Sequence, residues 1–303
     1  MIIIGSRGSA LALAQTSWVK EQILGRFPDA EVTVKVIKTS GDKNITASLR
    51  APSTVGVFVK ELEHALLKEE IDIAVHSMKD VPTQVPAGLQ IAAVPAREDA
   101  RDALVAYSTT SLSDLPFGSR VGTGSIRRQA QILALRPDLK ILDIRGNLDT
   151  RLKKLESKTC DAVILACAGL RRLGLEHRIS SRLDYADMLP APGQGALAIE
   201  TRTHDPRIET VAAALNSLPT AISVFAERRF LQLMGGGCNI PVAVYARLNG
   251  NIIEIDGLVA SPDGSKIVRD SAQQDVQKTN DTVDSLAERI LSRGGREILN
   301  KIL

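Results

Sequence analysis

Short apolar runs, each followed by a polar turn and then a helical stretch, recur through the first two thirds of this chain, and that alternation restricts its fold more than any other feature. Ile2-Ile3-Ile4 reads as a strand, Gly5-Ser6-Arg7-Gly8-Ser9 as a turn and residues 10–24 as a helix. Residues 31–36 alternate as a half-buried strand does. Residues 57–70 set Phe58, Leu62, Ala65 and Leu66 on one helical face with charges opposite. Strands are expected at 71–75 and 89–94. After a charged linker at 95–101 the pattern starts again: strands at 104–107, 120–122, 139–144 and 162–166, with helices at 126–135, 148–155 and from 170. Alternation of this kind buries best as parallel sheets with helices on their faces. Two such sheets are expected, one on each side of the linker.

Leu189-Pro190-Ala191-Pro192-Gly193-Gln194-Gly195 is the strongest break. One strand (196–200) and one helix (207–215) follow it, too little to bury a core alone. That piece is expected to return to the first sheet. The first lobe is then discontinuous, 1–95 plus 196–216, and the second spans 101–189. Paired crossings near 95–101 and 190–195 make a hinge. Residues 218–303 form a third unit: a helix at 221–234, then Gly235-Gly236-Gly237-Cys238, then strands at 242–247 and 252–259 joined through Asn249-Gly250. Ser261-Pro262-Asp263-Gly264 makes a second turn, Lys266-Ile267-Val268 a third strand, and 282–292 a covering helix. The expected class is α/β: two similar lobes with a hinge and central cleft, plus a small α+β C-terminal domain with a three-stranded sheet.

The residues just after the strands carry the chemistry. Ile71-Asp72-Ile73-Ala74-Val75 turns within one residue into His76-Ser77-Met78-Lys79-Asp80, and Val81-Pro82 stops it. Asp80 is the only acid in that burst. The other strand ends bring Arg7 and Ser9; Thr123, Ser125, Arg127 and Arg128; Arg145 and Arg151; Arg171 and Arg172. Nearly all are donors, and several open helices, where free N–H groups already favour anions. Arginine meets carboxylate or phosphate oxygens two at a time. Gathered at five strand ends, they point to a cleft for a small polyanion. One arginine taken alone reads better as part of a solvated helix face, as Arg171-Arg172 or Lys153-Lys154 could be.

Composition removes several other classes. A net charge of +3 over 303 residues and 3% aromatic content argue against a nucleic-acid binder. No apolar run approaches the ~20 residues of a membrane span. The N-terminus has no basic leader followed by an apolar stretch, so a cytoplasmic protein is expected. Three cysteines without a CxxC pair fit a reducing compartment. Cys160 and Cys167 flank an apolar run and read as core. Cys238 follows three glycines, which either expose its thiol or let the loop enter a cleft. The four histidines lack metal-ligand spacing, so no metal site is expected, and His76 reads as structural. Gly122-Thr123-Gly124 lacks the third glycine of a dinucleotide fingerprint, and there is no P-loop.

The motifs Val75-His76-Ser77-Met78-Lys79-Asp80-Val81-Pro82, Gly122-Thr123-Gly124-Ser125-Ile126-Arg127-Arg128-Gln129, Arg145-Gly146-Asn147, Pro192-Gly193-Gln194-Gly195 and Gly236-Gly237-Cys238 together resemble the porphobilinogen deaminase (hydroxymethylbilane synthase) family, in order and along essentially the whole chain. The resemblance implies lobes of the type II periplasmic-binding-protein kind. It implies a dipyrromethane cofactor joined by a thioether to Cys238, acting as primer for four porphobilinogen units added head to tail with loss of ammonia. It implies Asp80 as the catalytic carboxylate. Arg7, Ser9, Ser77, Lys79, Thr123, Ser125, Arg127, Arg128, Arg145, Arg151, Arg172 and Gln194 are implied as binding residues for substrate and cofactor. A monomer without nucleic-acid or membrane partners is expected. The alternative is a cytosolic two-lobed binding protein for a small polyanion, which gives Cys238 no task. One segment departs from the family pattern: Ser53-Thr54-Val55-Gly56 stands where a Gly-Gly-Lys-Gly type is usual, with Arg50 as a nearby charge.

Overall fold

The structure is a computed structural model that describes residues 1–37, 59–107, 109–236 and 240–302. Cys238, Arg50, Phe58 and the Ser53-Thr54-Val55-Gly56 segment lie outside the described residues. The chain divides into two units, Met1–Glu98 with Gly195–Ala221, and Asp99–Gln194 with Ile222–Leu303.

The first unit is a five-stranded sheet with helices on both faces. Its strands are β1 (Ile2–Arg7), β2 (Val32–Ile37), β3 (Ile73–Ser77), β4 (Leu89–Ala93) and, from the returning segment, β10 (Leu197–Arg202). Their order is β2-β1-β3-β10-β4. Alternation along β1 and β3 sorts the side chains. Ile4, Ile73 and Val75 join Leu197 and Ile199 beneath α1 (Ala10–Arg26) and α6 (Pro206–Leu215). Ala74 faces the other way, with Leu62 and Leu66 of α2 (Lys60–Leu67).

The second unit repeats the plan. Its sheet contains β5 (Asp102–Ala106), β6 (Arg120–Gly122), β7 (Lys140–Leu142), β8 (Ala162–Ala166) and β9 (Ser181–Arg182), in the order β7-β6-β8-β5-β9. Helices α3 (Ile126–Leu135), α4 (Leu148–Glu156) and α5 (Cys167–Arg172) follow β6, β7 and β8. After α7 (Leu218–Leu233), strands β11 (Val242–Asn249), β12 (Ile252–Ala260) and β13 (Ile267–Asp275) form an antiparallel sheet. Phe230 of α7, Val244, Ile253, Ile255, and Leu286 and Ile290 of α8 (Thr279–Ile290) make its core. The chain closes with α9 (Arg296–Asn300).

Two features correct the sequence expectation. The sheets are mixed rather than parallel: β10 is antiparallel to β3 and β4, and β5 is antiparallel to β8 and β9. Each of these strands is the first after a crossing. Leu197 pairs with Ser77 and Asp102 with Ala166, so each crossing delivers the chain at the carboxyl edge of a sheet, from which the next strand can only run back. Strand β13 is also much longer than residues 266–268. Its polar stretch Asp270-Ser271-Ala272-Gln273-Gln274 has a solvent-facing side and little apolar alternation to announce it. Among the described residues no single helix is long and apolar enough to cross a membrane.

Candidate active site

In the first unit, five of the sequence-chosen residues share the carboxyl edge of the sheet. Strands β1 and β3 are parallel, with Gly5 level with Ala74, so Arg7 and Ser77 end side by side. Strand β1 runs on through Arg7, which places that side chain on a strand end rather than in a turn. Ser9 caps α1, its hydroxyl accepting from the Ala12 N–H at 3.3 Å. Gln15, one turn on, donates to the Ser77 hydroxyl at 2.9 Å and ties α1 to β3. Met78-Lys79-Asp80 form a single 3-10 turn, with Met78 buried and its N–H bonded to Ala196 O at 3.0 Å. That anchor leaves the Asp80 side chain exposed. His76, one residue before Ser77, points inward: its Nε2 lies 2.9 Å from Glu200 Oε2, and both are buried.

In the second unit the carboxyl ends of β6, β7 and β8 carry the remaining residues. Thr123 is buried, its N–H bonded to Leu142 O and its hydroxyl accepting from the Ser125 N–H. Ser125 caps α3. Arg145 donates through Nε and Nη2 to Asp143, and its Nη1 is buried without an acceptor among the described residues. Arg151 donates to Gly146 O at 2.9 Å, and Arg172 ends α5, half-buried.

Arg127, Arg128 and Gln194 are where structure and sequence part. The strand-end pattern gives Arg127 and Arg128 as donors to a ligand, and the family resemblance adds Gln194 as a binding residue. In the structure all three converge on one carboxylate, Asp102, which is fully buried. Arg127 Nη1 donates to Oδ2 at 2.8 Å; Arg128 donates to Oδ1 through Nε at 3.0 Å and Nη2 at 2.6 Å. Gln194 Nε2 adds a bond to Oδ1 at 2.9 Å and one to Ala100 O at 2.7 Å. Arg127 also reaches Leu189 O, and Arg128 reaches Ile164 O. Burial pushes the Asp102 carboxyl up, but the two guanidinium groups outweigh it and hold its pKa well below the usual carboxylate range. Two cations on one anion leave a buried surplus of positive charge in a water-poor region.

Sequence reasoning missed Asp102. It stands at the border of the charged linker Arg97-Glu98-Asp99-Ala100-Arg101, and its arginines lie 25 and 26 residues downstream on another element. An acid opening an otherwise apolar run, Asp102-Ala103-Leu104-Val105, was the one available sign. Glu227 was missed for the same reason. Buried on α7, it accepts from the Gly193 N–H at 2.7 Å and the Ala246 N–H at 2.8 Å.

Two mixed sheets of one topology, each with sequence-chosen donors at its carboxyl edge, define a two-lobed α/β protein. Residues 2–210 match the family described as "Porphobilinogen deaminase, dipyromethane cofactor binding domain", and residues 221–292 match "Porphobilinogen deaminase, C-terminal domain". The chain is 48% identical to the porphobilinogen deaminase of Pelobacter propionicus over 99% of this chain and 96% of that one. It is 46% identical to that of Thermus thermophilus over 100% and 99%. Among solved structures it is similar to the methionine binding protein MetQ, with a TM-score of 0.46 and 14% identity over 75% of this chain and 96% of that one. The chain belongs to the porphobilinogen deaminase family.

Proposed function

We propose that this chain, a hydroxymethylbilane synthase by family, carries out its chemistry with Asp80 as the catalytic carboxylate and Cys238 as the cofactor attachment point. The family activity is the head-to-tail condensation of porphobilinogen with loss of ammonia, in tetrapyrrole biosynthesis. The reading is carried by one observation: in a chain of this family, Asp80 is the exposed acid in a turn whose neighbours at the same sheet edge are Arg7, Ser9, Ser77 and Lys79.

A dipyrromethane has four carboxylates, an acetate and a propionate on each ring. The residues present fit such a group. Arg145 has a buried N–H without an acceptor among the described residues, and the Arg127–Arg128–Asp102 cluster carries a surplus positive charge. Arg145, Arg151, Arg172, Thr123 and Ser125 are assigned to its carboxylates and to those of the growing chain. Arg127, Arg128 and Gln194 serve the same ligand set from a scaffold anchored on Asp102. When bound, the dipyrromethane supplies the nucleophilic pyrrole carbon that starts the chain.

The substrate meets Arg7, Ser9, Ser77 and Lys79 through its two carboxylates, which orients its aminomethyl group. The aminomethyl group leaves from its protonated, ammonium form: the C–N bond breaks, its electron pair goes with ammonia, and the positive charge passes to the pyrrole ring and its N–H. The Asp80 carboxylate accepts that N–H and stabilises the cation, a contribution of roughly 3–4 kcal/mol for a fixed charge of this type. The 3-10 turn and the Met78–Ala196 bond hold the carboxylate in place before the charge develops. Three parts of the chain, 1–95 with 196–216, 101–189 and 218–303, belong to the same reading, as do a cleft between the first two, a monomeric state, a cytoplasmic location and the absence of nucleic-acid or membrane partners.

Intact-protein mass spectrometry combined with turnover tests it. Wild type is expected to consume porphobilinogen and to carry one dipyrromethane of extra mass, lost in Cys238→Ser. Asp80→Asn is expected to fold and keep the added mass but to lose turnover. An unmodified mass in a chain that binds small polyanions and leaves porphobilinogen intact would establish the two-lobed binding protein instead.

A further inference from the structure

We propose that Gly264, at the tip of the β12–β13 hairpin, is a positioning residue for the arginine-bearing helix α3. The proposal rests on the reading above, in which Arg127 and Arg128 of α3 serve the substrate and cofactor carboxylates.

The tip presses on α3 more closely than any side chain allows. A Cβ on Gly264 would lie 2.6 Å from both Ala130 O and Ala134 N and 2.9 Å from Leu133 C, all atoms of the helix backbone. Gln129 Nε2 donates to Pro262 O at 3.1 Å beside this contact. Below it Ala130 packs with Leu258 and Ala260 of β12 in one buried cluster. The tip itself is stiff. Asp263 Oδ1 accepts from Ser261 Oγ at 2.6 Å, Ser265 N at 3.1 Å and Ser265 Oγ at 2.9 Å, and Ser261 O accepts from Gly264 N at 2.9 Å. A rigid turn against helix backbone leaves the helix as the part that moves.

A side chain at position 264 requires a shift of about 0.8 Å, from the 2.6 Å approach to ordinary contact at 3.4 Å, and with the tip braced by its own bonds that shift is assigned to α3. Arg127 and Arg128 lie one turn before Ala130 and Gln131, and their guanidinium groups are threaded between Asp102, Leu189 O and Ile164 O. Asp102 and Ile164 sit on β5 and β8 and do not follow the helix, whereas Leu189 is itself bonded to Gln131 of α3, so a shift of α3 changes the Asp102 and Ile164 bonds first. The C-terminal sheet thus sets where the arginines stand.

The molecule contains its own control. Gly250, in the neighbouring hairpin of the same sheet, has φ +58 against φ +71 for Gly264, yet nothing lies within 4 Å of its would-be Cβ. Gly250→Ala and Gly264→Ala carry the same left-handed backbone strain, and only the second meets α3.

The two variants are compared with wild type in porphobilinogen turnover and in hydrogen exchange of the peptide covering Ile126–Leu135. Gly264→Ala is expected to raise KM between about ten- and a hundredfold with kcat changed less than about threefold, as for a sub-ångström misplacement of a binding group. It is also expected to speed exchange over α3. Gly250→Ala is expected to do neither, losing only the stability that the shared left-handed backbone strain costs. Should Gly264→Ala not fold, Gln129→Met, which removes only the bond to Pro262, is expected to raise KM in the same direction. Equal KM and exchange in the two glycine variants, or faster exchange in α3 with an unchanged KM, overturns the proposal. Absence of turnover in wild type refutes the proposed function instead, and the exchange contrast then decides alone whether Gly264 positions α3.

Discussion

Asp102→Asn is the sharpest single perturbation of this protein. The carboxylate receives three bonds from Arg127 and Arg128 and a fourth from Gln194, all buried. Asparagine keeps the shape but offers one acceptor oxygen, and its amide turns a donor toward donors. It also leaves two buried guanidinium groups without a counter-charge. Breaking a buried ion pair by removing one partner costs about 3–5 kcal/mol. In a unit of this size that corresponds to a fall in Tm of roughly 6–20 °C. Differential scanning calorimetry of wild type and variant checks it. The double variant Asp102→Asn with Arg128→Met removes one of the stranded charges and is expected to recover part of the loss. A single variant melting within about 2 °C of wild type would show that the cluster does not hold the lobe and would refute the reasoning.

Other outcomes follow from the same geometry. Asp102 has a folded pKa below its unfolded value, so its stabilisation is present above the unfolded pKa of about 4 and drains as pH falls below it; acid titration of wild type against Asp102→Asn should show the variant losing less between about pH 4 and pH 2. Asp80→Asn alters an exposed side chain, so Tm should shift by no more than ~0.5 kcal/mol equivalent while turnover falls by at least ~10²-fold. Arg145→Ala removes a guanidinium whose protein partner is the surface acid Asp143, a pair worth about 0–1 kcal/mol, so stability should hold while KM for porphobilinogen rises. His76→Ala strands the buried Glu200 and should cost about 2–4 kcal/mol in denaturant unfolding, with the catalytic step itself kept.

Much of the candidate site's placement at strand ends was legible in the sequence because it lies where local pattern is strongest. A run such as Ile71-Asp72-Ile73-Ala74-Val75 announces a strand, and the polar burst after it marks the edge from which Ser77, Lys79 and Asp80 project. The same holds for Ser125, set between a short strand and the α3 periodicity, where the structure makes it the cap of α3. Strand boundaries were less legible where the residues are polar, as along β13, or where a strand is as short as β9.

What the sequence by itself determined is the periodic content: which segments are strands, which are helices, and that donors cluster at the strand ends. Those properties depend on neighbours within a few residues, which the chain order displays directly. Tertiary structure alone decided which charges are already answered inside the protein. Arg127 and Arg128 look alike on paper to Arg145, yet they share one buried acid, 25 and 26 residues away on β5, while Arg145 keeps a buried N–H without an acceptor among the described residues. Electrostatic pairing depends on distance in space, and the antiparallel run of β5 back from the crossing, which brings Asp102 beneath α3, is set by sheet order and by no local pattern.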